Sequence, residues 1–433
     1  MQRDLMRELE KWGSSPRRKP VIVNGARQVG KTWLLKELGR TRFKNVAYVN
    51  FDNNTPMKEL FEAGYDIPRL LVGIQAETGE RIIEGETLVI FDEIQECPKA
   101  LTSLKYFHEG MPGLHLAAAG SLLGLTIHTG TGYPVGNVTT LDLYPLSFGE
   151  FLDATGSGAL RDLVASGDVP GISAFASKLA PLLRQYYFVG GMPEAVEAFA
   201  REGALSAARE VQRQILSDYQ LDMSKHLSPL EVERVLAVWG SIPRHLGREN
   251  KKFVFGQIRD GARARDYRSA ITWLAQAGLA IPVRRIAKPG IPLAAYAEEA
   301  AFKLFLVDVG LLGALSDLPE RVVLEGSTIF TEFKGALTEQ YVCQQLVSAC
   351  GLTPYYWSAE NTASEVDFVA QYDGEVYPIE VKAEENLRSR SLRAFAERYP
   401  ATRPLRFSMS KPRVESWMRN IPLYALQNMD LWR

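Results

Sequence analysis

The sequence has few cysteines. Only three occur in 433 residues, at Cys97, Cys343 and Cys350. Their spacing fits neither a disulfide framework nor the paired CxxC motifs of a zinc site. Such low cysteine usage is typical of a reducing compartment. We therefore expect a cytoplasmic protein.

The chain also lacks an excess of charge and long apolar runs. Lysines and arginines number 50 and acidic residues 51, which gives a formal net charge of -1. This balance provides no global basic excess for nucleic acid, although it is compatible with a local basic patch. No uninterrupted apolar stretch reaches the roughly 18 residues of a membrane span. The N-terminal segment has no apolar core of a secretory signal, so we expect no membrane association.

A glycine-rich motif follows a short apolar stretch near the start of the chain. Residues 21–23 are β-branched and lie between Pro20 and Gly25, which predicts a buried strand. Residues 25–32, GARQVGKT, match the P-loop pattern G-x-x-x-x-G-K-[ST], and good helix formers follow them. Strand, loop and helix in this order are the context in which a P-loop binds phosphate. The motif therefore predicts an ATP site.

Each part of the P-loop has a chemical role. Gly25 and Gly30 let the backbone turn tightly, so that its N–H groups surround phosphate oxygens. The following helix directs its positive end to the same point. Lys31 reaches the β- and γ-phosphates, and the Thr32 hydroxyl is a magnesium ligand. The predicted ATP-binding residues are Gly25, Ala26, Arg27, Gln28, Val29, Gly30, Lys31 and Thr32.

A second strand ends in two carboxylates. Residues 88–91 form a continuous apolar run, typical of a strand covered on both faces of a parallel sheet, and Asp92 and Glu93 follow it. Ligands of α/β sheets bind at the carboxyl ends of strands. We predict that Asp92 holds the magnesium ion of ATP and that Glu93 is the general base for water. The alternative is a solvated strand end that carries two acids.

A third strand is predicted over residues 114–120, and Ser121 ends it. The Ser121 side chain would sense the γ-phosphate or orient the attacking water, which makes it a catalytic candidate beside Lys31 and Glu93. The competing interpretation is a serine that caps the next helix.

The middle of the chain is mostly helical by pattern from about residue 145 to 240. Residues 250–290 are typical of a small winged-helix module, in which IPVRRIAKP forms the wing strand. These residues include a cluster of arginines, Arg259, Arg263, Arg265 and Arg268. The cluster either contacts DNA phosphates, as recognition helices do, or forms a solvated face or a subunit contact.

The last part of the chain carries a second set of acids. Glu339 lies on a predicted helix, Asp367 ends a short strand, and Glu380 and Lys382 project from one face of another strand. This set resembles the PD-(D/E)xK nuclease constellation, in which two acids bind magnesium and the lysine helps to activate water. A retained fold without nuclease activity, used for binding or oligomerisation, is the alternative. Further charged residues beside the set are Glu365, Arg388, Arg390 and Arg393.

The motifs together resemble a large group of prokaryotic AAA-type ATPases. In chain order they read GARQVGKT, IFDEIQECP, AAGSLLG, LYPLSFGEFL, VGGMPEAV, FKLFLVDVGLLGAL and EVDFVAQYDGEVYPIEVK. The resemblance covers nearly the whole chain. It implies an α/β P-loop ATPase domain over residues 1–150, a helical and winged-helix-like region over 151–300, and a restriction-endonuclease-like α/β domain over 301–433. We expect such a protein to act as a homo-oligomer.

The sequence departs from that family just before the LYPLSF motif. Relatives often carry a basic residue there, which could act as a finger in a neighbouring subunit's site, whereas this chain has Asn137. Ser121 also stands where many AAA ATPases use asparagine. The arginines that could replace the missing finger are Arg184, Arg244 and Arg248.

Two functions are compatible with these observations. The first is an oligomeric, magnesium-dependent ATPase that acts on DNA, with or without cleavage by the C-terminal acids. The second is a nucleotide-gated binding or signalling protein whose C-terminal domain is catalytically inactive. Stimulation of ATP turnover by DNA would favour the first function. ATP-dependent assembly without any effect of nucleic acid would favour the second.

Overall fold

The computed structural model describes residues 1–121, 134–325, 331–359, 364–384 and 389–433. The chain forms two compact units. The first unit contains Gln2–Tyr144 and Gln276–Gly278, and the second contains Met1, Pro145–Ala275 and Leu279–Arg433. The three cysteines are buried and free. None of the helices in the described ranges is long and apolar enough to cross a membrane.

The first unit is built on a five-stranded sheet in the order β2-β3-β4-β1-β5, and every neighbouring pair is parallel. The strands are β1 (Val21–Gly25), β2 (Asn45–Asn50), β3 (Thr87–Asp92), β4 (His115–Ser121) and β5 (Thr139–Asp142). β1 and β3 are buried along their whole length, as expected of strands covered on both faces. The predicted parallel α/β sheet is thus confirmed.

The helices of the first unit surround this sheet's apolar core. Within the described residues they are α1 (Leu5–Ser14), α2 (Lys31–Arg42), α3 (Thr55–Glu62), α4 (Ile67–Thr78) and α5 (Pro98–Gly110). Phe51, Phe61 and Phe91 meet edge to face in the core, with ring centroids 5.4 to 5.6 Å apart. Helix α2 begins directly after Gly30, so the P-loop leads from the carboxyl end of β1 into a helix N-terminus.

The second unit begins with the predicted helical stretch. Its helices up to residue 246 are α6 (Phe148–Ala154), α7 (Gly158–Ser166), α8 (Val169–Ala174), α9 (Ala176–Val189), α10 (Pro193–Glu202), α11 (Leu205–His226) and α12 (Pro229–Leu246). Local sequence sets several of these ends. Helix α6 starts with a capping box between Ser147 and Glu150, and α12 starts with another between Ser228 and Glu231.

An eight-stranded mixed sheet forms the rest of the second unit, in the order β12-β13-β11-β10-β9-β8-β6-β7. Its strands are β6 (Ala280–Ile286), β7 (Ala297–Leu306), β8 (Tyr355–Ser358), β9 (Glu365–Tyr372), β10 (Glu375–Val381), β11 (Leu405–Ser408), β12 (Arg413–Val414) and β13 (Arg419–Pro422). The accompanying helices are α13 (Ala264–Gln276), α14 (Val309–Leu315), α15 (Glu320–Glu325), α16 (Thr331–Ser348) and α17 (Arg390–Arg398).

The structure differs from the predicted winged helix at β6. This strand, which contains most of the expected wing sequence, pairs antiparallel with β7 and parallel with β8. It is therefore an interior strand of the eight-stranded sheet rather than the wing of a separate module. The predicted boundary at residue 300 falls inside β7, because β6 and β7 supply two strands of the same sheet as the C-terminal segment.

Buried glutamines on α16 connect the LYPLSFGEFL motif to the second unit's core. The Tyr186 hydroxyl donates to the carbonyl oxygen of Leu146 (2.5 Å) in the LYPLSF motif. Gln344 donates in turn to the Tyr186 hydroxyl (2.9 Å). Gln345 accepts from the backbone N–H of Phe148 (2.9 Å). Buried polar groups need such partners, so these motif residues act as structural connections.

Candidate nucleotide site and C-terminal carboxylate cluster

Two features shape the P-loop backbone: the close approach of Gly25 to the Leu143 carbonyl, and residues with left-handed backbone angles. A Cβ atom at Gly25 would lie 2.3 Å from the carbonyl oxygen of Leu143, so only glycine fits there. Gly30 has a φ of 93° and Gln28 a φ of 64°. These left-handed positions curl the loop around the N-terminus of α2, where backbone N–H groups can cradle an anion. The loop therefore fits the phosphates of ATP.

Lys31 is buried at the base of this loop. Its Nζ donates to the carbonyl oxygens of Gly25 (3.0 Å) and Ala26 (2.7 Å). Burial lowers the pKa of Lys31 to about 8, although Glu93 and Asp92 oppose this shift. The ammonium group thus rests on the loop's own carbonyls, at the place where a phosphate would be bound.

Asp92 joins the P-loop to the end of β3. Its Oδ2 accepts hydrogen bonds from the Thr32 hydroxyl (2.7 Å) and from the Tyr48 hydroxyl (2.8 Å). Burial and the bond to Asp92 raise the pKa of Tyr48, which keeps its proton. The two predicted magnesium ligands, Thr32 and Asp92, therefore meet, and Tyr48 is an additional partner that β2 brings beside β3.

Glu93 and Ser121 lie at the same edge of the sheet and share one partner. Glu93 has a left-handed φ of 49°, and its Oε2 accepts from the side-chain amide of Gln95 (2.5 Å). The Oε1 of Gln95 accepts from the backbone N–H of Ser121 (3.3 Å). The structure thus brings the three predicted catalytic residues, Lys31, Glu93 and Ser121, to the carboxyl ends of β1, β3 and β4.

Comparison with known proteins identifies this part of the chain. Residues 17–152 match a family model described as an AAA domain. The first unit thus carries an AAA-type P-loop domain, a kind of domain that is expected to bind ATP. Residues 180–322 match a domain of unknown function, DUF8612, and residues 334–424 match another, DUF4143. Neither description names a nuclease or a winged helix. The nuclease-like assignment stays a prediction, and the winged-helix module is unconfirmed because its expected wing strand is β6 of the large sheet.

The solved structures that match this chain are distant in sequence and have low TM-scores. The Walker-type ATPase PABY2304 of Pyrococcus abyssi is 16% identical, with a TM-score of 0.46 over 73% of this chain and 95% of that one. ORC1 of Aeropyrum pernix, solved in complex with DNA, is 14% identical (TM-score 0.29; 72% and 91% of the chains). Cdc6p of Pyrobaculum aerophilum is 12% identical (TM-score 0.27; 72% and 92%). A search of curated proteins gave no match.

Besides Tyr48, two residues of the AAA domain site were not predicted from the sequence. Gln95 is buried between Glu93 and Ser121, and only its place two residues after Glu93 could have drawn attention to it. Arg3 donates to the carbonyl oxygens of Val29 (2.9 Å) in the P-loop and of Tyr144 (2.5 Å) after β5. Such side-chain to backbone bonds join distant segments and leave no local pattern in the sequence.

The residues considered for a finger differ in exposure. Asn137 makes a long local hydrogen bond to the carbonyl oxygen of Val135 (3.4 Å). Arg184 is half-buried, whereas Arg244 and Arg248 are exposed.

The second unit brings the four nuclease-like residues together. Glu339 on α16, Asp367 on β9 and Glu380 on β10 are near enough for their charges to interact, and Lys382 Nζ lies 2.6 Å from Glu380 Oε1. Burial and the charges of Glu339 and Glu380 raise the pKa of Asp367 well above its usual value. Its Oδ2 accepts from the backbone N–H of Val381 (2.7 Å). We call Glu339, Glu365, Asp367 and Glu380 the carboxylate cluster.

Two lysines that sequence reasoning missed also enter the carboxylate cluster. Lys303 on β7 is fully buried, with its Nζ 2.5 Å from Glu365 Oε1 and 3.8 Å from Glu339 Oε2. Lys251 forms an ion pair with Glu339. Although burial opposes the shift, these two lysines lower the pKa of Glu339. Arg390 and Arg393 lie on α17, and Arg388 is outside the described residues.

Proposed function

We propose that this chain is a cytoplasmic, magnesium-dependent ATP hydrolase that works as a homo-oligomer. The observation that carries the proposal is the meeting of Thr32 and Asp92 through one hydrogen bond, with Glu93 next along the chain. A magnesium ligand pair and a general base then stand at one edge of the sheet, beside a loop shaped for phosphate.

The proposed reaction assigns one step to each residue. The loop N–H groups and Lys31 bind the phosphates, and Thr32 and Asp92 would hold magnesium. When bound, the metal would neutralise charge on the β- and γ-phosphate oxygens. Glu93 takes a proton from water as the water oxygen bonds to the γ-phosphorus, and the bond from phosphorus to the ADP oxygen breaks. The products are ADP and inorganic phosphate.

Two substitutions separate binding from hydrolysis in this proposal. Glu93→Gln should bind ATP with normal affinity while kcat falls by about a hundredfold or more, because the amide cannot accept the proton. Lys31→Ala should abolish tight ATP binding. Fluorescent-ATP titration and phosphate release measure the two effects. Normal turnover by Glu93→Gln would show that the base is another group.

The oligomer in this proposal allows one copy to complete its neighbour's site. Arg244 and Arg248 are exposed and could reach a neighbouring ATP, which a mixing experiment tests. Arg244→Ala and Glu93→Gln should each be inactive alone. Their mixture should regain part of the turnover, because some sites combine an intact Glu93 with an intact Arg244 from the next copy. Repeating the mixture with Arg248→Ala separates the two arginines. No recovery in either mixture would contradict a finger at these positions.

DNA is the second candidate partner, and the basic segment (residues 244–268) favours it. The segment contains eight lysines and arginines against three acids, in a chain of net charge -1. Its arginines at 259, 263, 265 and 268 are all exposed. Their acidic contacts are long, at 3.4 Å for Arg259 with Glu233 and 3.8 Å for Arg265 with Asp266. Exposed pairs of this kind are weak and leave the arginines available for phosphate.

Salt dependence tests the basic segment. Duplex DNA should bind at low salt, and the double variant Arg263→Ala/Arg268→Ala should weaken binding and reduce the slope of log K against log salt by roughly two. Arg201→Ala/Arg413→Ala is the matched control, since both are exposed arginines outside the segment. DNA binding that is absent at low salt, or equal in the two double variants, would remove DNA as a partner of this segment.

A further inference from the structure

We infer that the ammonium groups of Lys251 and Lys303 occupy the cation position of the carboxylate cluster, and that this cluster therefore takes no divalent metal. The inference departs from the nuclease-like expectation for Glu339, Asp367 and Glu380. It is also independent of ATP hydrolysis, since all of these residues lie in the second unit.

The position of Lys303 is fixed by the fold. It lies within β7, where it is directly opposite Val283 of β6, and its side chain has no solvent exposure. Its Nζ is 2.5 Å from Glu365 and 3.8 Å from Glu339, and it lies 5.0 Å from the centre of the Tyr356 ring. The Lys303 ammonium has no solvent exposure and lies against these neighbours, so a metal ion at the same point would have to displace it.

The remaining acids of the cluster are also engaged. Glu339 pairs with Lys251, whose side chain is only 12% exposed, and Glu380 pairs with Lys382. Asp367 accepts the N–H of Val381. Three lysines thus stand among four carboxyl groups. A divalent ion here would be repelled by ammonium groups within a few ångströms, in a site that screens charge weakly.

The carboxyl groups are not arranged as a metal site. In the described part of the chain, no group of three or more His, Cys, Asp or Glu side chains is placed to hold a metal ion. A two-acid magnesium site needs carboxylate oxygens that converge on one point. Here three of the acids, Glu339, Glu365 and Glu380, pair with lysine ammonium groups instead. The ion pairs of Lys303 therefore join β7, β9 and α16, and Asp367 links β9 to β10 through the backbone N–H of Val381.

Manganese binding to the nucleotide-free full chain tests this inference. Electron paramagnetic resonance should detect no bound Mn²⁺ at micromolar concentrations, and supercoiled DNA should stay intact with Mg²⁺ or Mn²⁺. Lys303→Met, which removes the charge and keeps the buried stem, should acquire one Mn²⁺ and gain thermal stability when the ion is added. Lys252→Met is the matched control, because Lys252 is exposed and has no pair in the cluster; it should acquire no Mn²⁺ site.

The inference can be overturned even if Lys303→Met does not fold. Binding of one Mn²⁺ with micromolar affinity that Asp367→Asn abolishes would show that the cluster is a metal site. DNA cleavage lost in the same variant would show this too. A folded Lys303→Met chain that acquires no Mn²⁺ would show that Lys303 does not occupy a cation position. None of these readouts depends on ATP turnover, so this inference can fail while the proposed ATPase activity is correct, and the reverse.

Discussion

The carboxyl group of Asp308 accepts a hydrogen bond from the backbone N–H of Gly191 at 2.6 Å, across 117 positions of the chain. The same side chain accepts from Leu311 (3.0 Å) and from Gln344 (3.1 Å). The VGGMPEAV and FKLFLVDVGLLGAL motifs are therefore in contact, and Asp308 of the second motif makes the hydrogen bond to the first.

Removing this carboxyl group should destabilise the second unit. Asp308→Ala leaves the buried N–H groups of Gly191 and Leu311 without this acceptor and removes one of the bonds of the Gln344 amide. We expect this to lower the free energy of unfolding by about 3 kcal/mol. Urea unfolding followed by tryptophan fluorescence measures the change. Asp162→Ala, which changes an exposed aspartate on α7 of the same unit, is the control. Equal midpoints for the two variants would show that the Asp308 contact contributes little.

Gly191 should tolerate no side chain. A Cβ there would lie 2.1 Å from the carbonyl oxygen of Leu146 and 2.8 Å from its nitrogen, and this backbone cannot move freely. We expect Gly191→Ala to cost about 2 kcal/mol by overpacking. Gly240→Ala is the counterpart, since nothing lies within 4 Å of its Cβ inside α12. That change should stabilise the chain by up to about 1 kcal/mol. The prediction is wrong if the two variants have the same melting temperature.

Gln95 should influence turnover more than ATP binding. Gln95→Met keeps the length of the side chain but removes the amide that holds Glu93, so we expect kcat to fall roughly ten- to a hundredfold with KM changed less than about twofold. Steady-state kinetics separate these effects. Gln75→Met removes a comparable bond, to the N–H of Ile82, elsewhere in the first unit and should leave kcat unchanged. A rise in KM at constant kcat would assign Gln95 to binding instead.

ATP affinity should fall at high pH because Lys31 has a pKa of about 8 in the free protein. Only the ammonium form pairs with phosphate, so above this pH binding has to take up a proton. The dissociation constant should be flat below about pH 7 and rise towards tenfold per pH unit above 8. Fluorescent-ATP titrations from pH 7 to 9.5 measure this. Lys31→Arg keeps its charge throughout, and a wild-type curve as flat as that of the arginine variant would contradict the prediction.

The nucleotide site could be predicted because its parts are local in sequence. β1, the P-loop and α2 are consecutive, and the apolar run of β3 ends at Asp92 and Glu93. The position of β6 could not be predicted, because its partner β8 begins about seventy residues later and a parallel pairing leaves no local signal. Lys303 was missed for a similar reason, since its acidic partners Glu339 and Glu365 come from separate elements.

The spread of strands along the chain has a consequence for synthesis on the ribosome. The first unit's sheet uses strands between Val21 and Asp142, so it can assemble while most of the chain is still untranslated. In the second sheet, β6 and β7 are synthesised before their partner strand β8, and the last strand ends only at Pro422. Domains generally fold in the order of their synthesis. A nascent chain should therefore bind ATP well before its second half has folded. A premature stop after residue 306 would leave the β6–β7 hairpin without its partner β8, and the exposed edge of β6 would be prone to aggregation.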